Sequence, residues 1–237
     1  MMLLRRSNRR EYRKRDDGLN DWISFGWVMR IRIATEADLD QLTHIHLSSA
    51  TSVGQFLPLL GTRFLREYHR VLMRGKRSLV LCQEDNEGTV VGFISGTYAA
   101  EEHTAALRSH RSTLVLAALP ALIRKPSLLL GMLKRFRSVR SNRIDGGYIA
   151  GAGCRLSYWG YLPGKRSGGS AIFLLQTWLS TAKDCGAQSV LLEVDESNSA
   201  VLKLHQMLGA TVSRRFVTGD QRPRYLLCYE LADRPTG

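Results

Sequence analysis

The chain has 237 residues, of which 44% are hydrophobic, and its 34 lysines and arginines against 21 aspartates and glutamates give a formal net charge of +13. This balance is typical of a globular protein and excludes a collagen, a disulfide-stapled miniprotein and a disordered tail. The positive charge favours partners such as a nucleotide, a nucleic acid or an acidic membrane surface, with a solvated basic surface as the alternative.

Two observations set the expected compartment and the limits of the folded domain. Four cysteines without a C-x-x-C pair predict reduced thiols in a cytoplasmic protein, and no apolar run reaches the about 18 residues of a membrane span. Basic residues crowd the stretch from Arg5 to Arg15, and the apolar part before them is too short for a signal peptide. We therefore expect a flexible basic extension over residues 1–28 and one folded domain over residues 29–237.

Strands and amphipathic helices alternate along the predicted domain. The first helix begins at a capping box formed by Thr35 and Asp38, and Gly186 and Asn198 mark the end of one later helix and the start of another. In chain order the pattern predicts a strand over 29–33, a helix from Thr35, a helix over 61–73, a hairpin of strands 78–83 and 89–96, a strand over 148–162, a helix over 169–185, a strand over 189–194, a helix over 198–208 and strands over 210–217 and 225–231.

Residues 103–143 interrupt this pattern, because they are apolar and basic and include no acidic residue. Pro120 and Pro126 are expected to divide the segment into helical pieces. Two uses are open: a helical hairpin packed on the domain or in a dimer interface, and contact with an anionic membrane or a lipid-linked acceptor. Nucleic-acid binding is not expected, because the segment lacks interleaved aromatic residues and a groove-reading helix.

The strongest local signal is the turn over residues 162–171, which lies between a predicted strand and a predicted helix. Gly168 and Gly169 let a ligand approach the backbone, and the free amides and dipole of a helix N-terminus favour an anion. Lys165 and Arg166 add positive charge, so a pyrophosphate is the expected occupant, and a flexible basic turn is the alternative. The spacing excludes the Walker pattern, and the dinucleotide pattern G-x-G-x-x-G is absent.

Residues 166–171 resemble the R/Q-x-x-G-x-G/A motif of the GNAT family of N-acetyltransferases. Residues 198–210 resemble the family's second signature, in which an Asn opens a helix and a Tyr follows seven residues later. His205 occupies the position of that Tyr. Residues 33–38 and 90–96 resemble the family's first strand with its helix start and its third strand, so four landmarks occur in the family's order.

The resemblance implies an α/β GNAT fold: a mixed, mostly antiparallel central sheet flanked by helices, with 103–143 as a basic helical insertion. It also implies acetyl-CoA as cosubstrate and no metal. Acetyl-CoA would lie between two splayed strands, with its pyrophosphate on the amides of 166–171 and its pantetheine arm along the strand edge at 158–162. The residues expected to bind it are Tyr161, Leu162, Arg166, Ser167, Gly168, Gly169, Ser170, Ala171 and Asn198.

The resemblance further implies direct transfer of the acetyl group to a primary amine. A neutral amine must attack the thioester, and the leaving thiolate needs a proton or a hydrogen bond. His205 is the expected donor, since an ordinary pKa of about 6.5 leaves some imidazolium near neutral pH, and packing on the cofactor is the alternative. Glu193, on the strand beside the cleft, is the expected base, with Glu101, Glu102 and His103 as further candidates.

Residues 46–68 are similar to a subgroup of these acetyltransferases that accompanies sugar- and surface-polysaccharide-modifying enzymes. Together with the positive charge, this favours an amino sugar or a nucleotide-linked sugar as acceptor over a polyamine, which a field of this sign would repel. Two other interpretations stay open: a CoA-binding regulatory module with weakened catalysis, and a basic protein associated with a membrane or nucleic acid. We expect a cytoplasmic protein, and peripheral membrane association and a homodimer are both left open.

Overall fold

The computed structural model describes residues 29–49, 56–131, 133, 153–165, 168–218 and 222–232. The strands are β1 (Arg30–Ile33), β2 (Ser78–Glu84), β3 (Val90–Thr97), β4 (Cys154–Tyr161), β5 (Ser189–Asp195), β6 (Thr211–Val217) and β7 (Pro223–Glu230). The helices are α1 (Leu39–Ser49), α2 (Phe56–Leu59), α3 (Gly61–Arg74), α4 (Ala100–Ser109), α5 (Arg111–Arg124), α6 (Gly168–Asp184) and α7 (Ser199–Met207). The predicted extension over 1–28 lies outside the described residues, and its boundary stays a prediction.

One seven-stranded sheet organises these elements, in the order β1-β2-β3-β4-β5-β7-β6. Every neighbouring pair of strands is antiparallel except β4 and β5, which are parallel. The predicted α/β fold with a mixed, mostly antiparallel sheet is therefore confirmed. The only parallel pair among the described strands lies at the middle of the sheet, and it is where the candidate site forms.

The N-terminal elements follow the sequence signals closely. Asp38 accepts a hydrogen bond from the Thr35 amide (2.7 Å), which completes the predicted capping box at the 3-10 turn before α1. The apolar face predicted for α1 is buried: Leu39, Leu42 and Ile45 are at most 1% exposed. The predicted hairpin is also present, with β2 and β3 paired in antiparallel register over their length.

Helices cover the two faces of the sheet, because alternate residues of each strand point to opposite sides. Leu79 and Leu81 of β2 pack in a core cluster with α6, whose Trp178 is fully buried. Val80 and Cys82 pack on the opposite face in a cluster with α1 and α3. The central strands β3 and β4 therefore have helices on both sides, which fixes their position relative to α6.

Within the described residues, the predicted insertion forms α4, α5 and a further helical turn over 127–131 and 133, and its end over 134–143 lies outside the described part of the chain. The expectation that Pro120 would end a helix is wrong, because α5 continues through it and the breaks fall at His110 and Lys125. A proline removes one backbone hydrogen bond, and here Leu114 and Ala118 hold the helix in a core cluster with α2 and α3. Within the described ranges, no helix has the length and hydropathy to span a bilayer.

Candidate active site

An opening between β4 and β5 is the main feature of the site. The two strands pair only at Cys154 with Val190 and Arg155 with Leu191, and their C-terminal parts then separate. The register of β4 against β3 shifts next to Ser157, which is exposed at this irregularity. A bulge bends a strand and strengthens its twist, so β4 leaves β5 where Ser157 is inserted.

The backbone of β4 directs some of its polar groups toward this opening. The amide of Leu162 donates to the carbonyl oxygen of Val91 in β3 (2.8 Å). Alternate residues of an antiparallel strand direct their amides and carbonyls to opposite neighbours, so those of Trp159 and Tyr161 point away from β3. They face the opening, where an extended ligand can pair with them as a further strand. The Leu162 amide, predicted to contact the cofactor arm, already bonds to β3.

The N-terminus of α6 lies directly after this edge strand. Gly168 and Gly169 begin the helix and are exposed, and a Cβ atom built on either one meets nothing within 4 Å. Ser170 is half-buried, whereas Ala171 faces the core and is 3% exposed. The first two residues of α6 therefore have open space on their Cβ side, and the helix dipole favours an anion at this end. Arg166 and Ser167, also predicted to bind the cofactor, lie outside the described residues.

Tyr161 holds this helix start against the sheet. Its hydroxyl lies between the side-chain oxygen of Gln83 and the backbone carbonyl oxygen of Ser170, 3.1 Å from the latter. Gly92 makes room for the ring, because a Cβ atom at this position would overlap the Tyr161 side chain. Tyr161 was predicted from its place on the edge strand, and the structure adds a buried side chain that positions the first turn of α6.

His205 lies on α7 and is buried, at 2% exposure. Its Nδ1 atom is 2.7 Å from the Tyr229 hydroxyl of β7, and its ring packs edge-on against Trp159 of β4. Burial lowers the pKa of His205 to about 4, so the ring is neutral at pH 7. The imidazolium expected from the sequence is therefore absent at this pH, and the neutral ring of His205 carries one N–H.

Asn198 is the N-cap of α7, as predicted, and its side-chain oxygen accepts a hydrogen bond from the Val201 amide at 3.4 Å. At the other end of the helix, Gly209 has a φ of 96°, which a glycine adopts without strain. These two residues fix the ends of α7 and hence the place of His205 beside the opening. A contact between Asn198 and the cofactor stays a prediction.

Glu193 lies in an ion network on the sheet face opposite α6. One carboxylate oxygen pairs with Arg155, and the other accepts a hydrogen bond from Arg224 at 2.9 Å. Arg224 also donates to Asp195 at 2.7 Å. Both oxygens of Glu193 are therefore bound to guanidinium groups, so neither oxygen is free to contact an acceptor amine. The other predicted bases are also engaged: Glu101 accepts a weak hydrogen bond from the Gly153 amide (3.4 Å), and Glu102 pairs with Arg77 (3.4 Å).

A cluster of buried aromatic and imidazole rings next to the site was not anticipated from the sequence. His46 of α1 stacks on Tyr158 of β4, and its Nδ1 lies 3.1 Å from Nε2 of His69 in α3. Ser49 Oγ lies 2.5 Å from the Tyr158 hydroxyl oxygen. Burial lowers the pKa of His46 to about 3 and that of His69 to about 4. Because His46 shares the apolar face of α1 at helical spacing, its burial was expected from the sequence. No sequence pattern indicated that it would contact His69.

Among the described residues, no group of three or more histidine, cysteine, aspartate or glutamate side chains could hold a metal ion. The four cysteines are free thiols, and Cys82 and Cys154 are buried.

Known proteins resemble this chain in structure but not in sequence. No family model and no curated protein matches the chain by sequence. Among solved structures, the Escherichia coli ribosomal-protein-S18-alanine N-acetyltransferase has a TM-score of 0.53 at 13% identity and covers 89% of this chain and 98% of its own. An N-acetyltransferase from Staphylococcus aureus Mu50 has a TM-score of 0.54 at 16% identity, covering 86% and 99%.

The Salmonella typhimurium protein YncA, solved with its cofactor acetyl-CoA, has a TM-score of 0.51 at 16% identity and covers 88% of this chain and 97% of its own. Identities this low establish the fold. The chain therefore has the fold of the GNAT N-acetyltransferases, as the sequence resemblance implied.

Proposed function

We propose that the chain is an acetyl-CoA-dependent N-acetyltransferase. The observation that supports this most strongly is the junction of two features: β4 and β5 separate after two residue pairs, and α6 begins at Gly168 beside the opening. A separated pair of strands offers backbone groups to an extended arm, and an open helix N-terminus offers amides to a diphosphate. Acetyl-CoA contains both parts, joined in one molecule.

The residues at the opening fit this cosubstrate. The amides from Gly168 to Ala171 would hold the diphosphate, since the space next to the two glycines is open. The backbone groups of β4 that point away from β3, such as those of Trp159, would pair with the amide groups of the pantetheine arm. Among the described residues, the buried indole Nε1 of Trp159 has no hydrogen-bond partner, so it can donate to a bound ligand. The thioester would supply an activated acetyl group.

The proposed reaction is direct attack of a primary amine on the thioester carbonyl carbon. A C–N bond forms and the C–S bond breaks, the amine loses a proton, and the thiolate must receive a proton or a hydrogen bond. His205 is the proposed donor. When the Tyr229 hydroxyl donates to Nδ1, the imidazole proton lies on Nε2, where a neutral ring donates a hydrogen bond without becoming imidazolium.

The proton lost by the amine has no strong acceptor among the predicted bases. Glu193 is bound by two arginines, and burial lowers the pKa of His103 to about 4, with Arg155 as a further cause. We therefore propose that water in the open cleft receives this proton. Glu193 then serves to hold Arg155 and Arg224 on the sheet face near the opening.

We propose an amino sugar, free or linked to a nucleotide, as the acceptor. The support is the charge of +13 and an ion cluster beside the opening in which three arginines, Arg155, Arg222 and Arg224, outnumber the two carboxylates that pair with them. A positive field concentrates a phosphorylated acceptor and repels a polyamine. The resemblance of residues 46–68 to the sugar-modifying subgroup agrees with this choice.

The test is release of CoA thiol from acetyl-CoA with four acceptors: a nucleotide-linked amino sugar, free glucosamine, a peptide with a free N-terminus and spermidine. We expect the highest kcat/KM with the nucleotide-linked sugar and the lowest with spermidine. Turnover with spermidine above both sugars would contradict the proposed acceptor.

A CoA-binding regulatory module is the second candidate, because burial leaves His205 neutral and both oxygens of Glu193 are occupied. It predicts that acetyl-CoA raises the melting temperature while no acceptor releases thiol.

A further inference from the structure

Helix α5 exposes an apolar surface to solvent. Val115, Leu116, Leu119 and Ile123 are 36%, 65%, 40% and 76% exposed. At about 100° per residue these four positions fall within an arc of about 100°, so they form one continuous stripe. The helical turn that follows adds three exposed leucines, at positions 129, 130 and 133.

The composition of α5 makes this exposure unusual. From Leu114 to Ile123 every residue is apolar, on all sides of the helix. A helix that is apolar all round is normally covered all round. Here Leu114 and Ala118 pack against Leu60 and Phe64, while the opposite side is uncovered within the described part of the chain. Exposed apolar patches of this kind mark interaction sites.

Basic residues border the stripe. Arg108, Arg111, Arg124 and Lys125 are exposed at the two ends of α5, and no acidic residue occurs between 103 and 143. The sequence after the exposed leucines continues with five more basic residues, Lys134, Arg135, Arg137, Arg140 and Arg143. An apolar stripe with basic residues at both ends is complementary to a layer that is negative outside and apolar beneath.

We propose that α5 and the helical turn after it bind an anionic lipid bilayer. The apolar stripe enters the boundary between headgroups and acyl chains, and the arginines and lysines contact anionic headgroups. A second copy of the chain is a poorer occupant, because it would bring an equally basic surface against this one. The proposal does not depend on the proposed enzymatic function.

The test is flotation of the full-length chain with vesicles. One set contains phosphatidylcholine alone, and the other contains phosphatidylcholine with phosphatidylglycerol. We expect about tenfold more protein on the anionic vesicles, decreasing as salt is raised. Leu116→Ser with Ile123→Ser removes apolar contact and is expected to lower binding about tenfold. Arg124→Glu with Lys125→Glu is expected to do the same through charge.

Matched variants control for changes elsewhere on the surface. Met207→Ser removes an apolar side chain that is 83% exposed on α7, and Lys203→Glu with Arg214→Glu gives the same change of net charge at exposed sites outside α5. Both are expected to bind vesicles like the wild type, and circular dichroism confirms that every variant is folded.

Three results would overturn the proposal: equal recovery with both kinds of vesicle, no loss of binding for the Leu116 and Ile123 double variant, or no vesicle binding at all. If, in the last case, sedimentation showed a dimer that the same double variant dissociates, a second copy would be the occupant.

Discussion

His205 and Tyr229 connect the last helix to the last strand, with the Nδ1 atom of the imidazole 2.7 Å from the phenol oxygen. Burial lowers the pKa of His205 to about 4 and raises the pKa of Tyr229, so both groups are uncharged at neutral pH. The two residues therefore form a neutral hydrogen-bonded pair beside the opening between β4 and β5. When the Tyr229 hydroxyl donates to Nδ1, the imidazole proton lies on Nε2 and is available to donate.

If this pair serves the leaving thiolate, His205→Phe should lower kcat about a hundredfold, in the range seen for loss of a positioned acid. His205→Tyr keeps a hydroxyl donor and is expected to retain most of the activity. Tyr229→Phe should have a smaller effect on kcat, because it removes only the partner that sets the tautomer. Steady-state thiol release measures all three, and full activity of His205→Phe would leave His205 with a packing role alone.

Glu193 is expected to matter for stability more than for proton transfer. Glu193→Gln leaves Arg155 and Arg224 without their shared carboxylate, so the free energy of unfolding should fall by about 2 kcal/mol. Glu196→Gln is the matched control, since Glu196 pairs with Arg215 at 2.8 Å in a more exposed position. Urea unfolding gives the stabilities. A change in the pH profile of kcat in Glu193→Gln would instead restore the general base that the sequence suggested.

The buried histidines predict loss of stability in mild acid. Burial lowers the pKa of His46 to about 3 and the pKa values of His69, His103 and His205 to about 4, below the ordinary 6.5. The unfolded chain therefore binds protons that the folded chain excludes. This stability is fully present above pH 6.5 and is lost as the pH falls toward 4.

Urea unfolding between pH 7 and pH 4.5 measures this effect. We expect the slope of unfolding free energy against pH to correspond to about two or more protons taken up near pH 5. His69→Gln should reduce the slope, because it removes one of the buried rings. A flat profile down to pH 4.5 would show that these rings are protonated in the folded chain.

Gly92 is expected to act on the site through Tyr161. Gly92→Ala places a methyl group against the Tyr161 ring, which should cost about 1–3 kcal/mol and displace the hydroxyl from the carbonyl of Ser170. The first turn of α6 would then be less well positioned, and affinity for acetyl-CoA should fall. In a Tyr161→Ala background, Gly92→Ala should cost less free energy of unfolding than in the wild type, because the clash is removed. An equal cost in the two backgrounds would contradict the steric explanation.

Local signals in the sequence were sufficient for most of the fold. The capping residues Thr35 and Asn198 and the alternating strands fixed where elements begin and which faces are buried. The order of four family landmarks then indicated the sheet. The break expected at Pro120 is absent, because the packing of α5 on α3 outweighs the loss of one backbone hydrogen bond.

The site was less predictable because its chemistry depends on contacts between distant residues. The partners of Glu193 lie 38 and 31 positions away in sequence, and His46 meets His69 across 23 positions. No periodicity encodes such pairs. The pKa of His205 likewise depends on how deeply α7 packs, which the family position of the residue did not reveal.

The central claim is that the open N-terminus of α6 holds the diphosphate of acetyl-CoA, and calorimetric titration of Gly169→Val tests it most directly. A Cβ atom at this exposed position has no protein atom within 4 Å, so the fold should persist, while the valine would occupy the proposed space of the diphosphate. Ser180→Val, at an exposed site on the same helix, is the matched control. We predict that the wild type and Ser180→Val bind acetyl-CoA and that Gly169→Val, folded by circular dichroism, does not. Binding by Gly169→Val with the affinity of the wild type would show that the diphosphate lies elsewhere and would contradict the account.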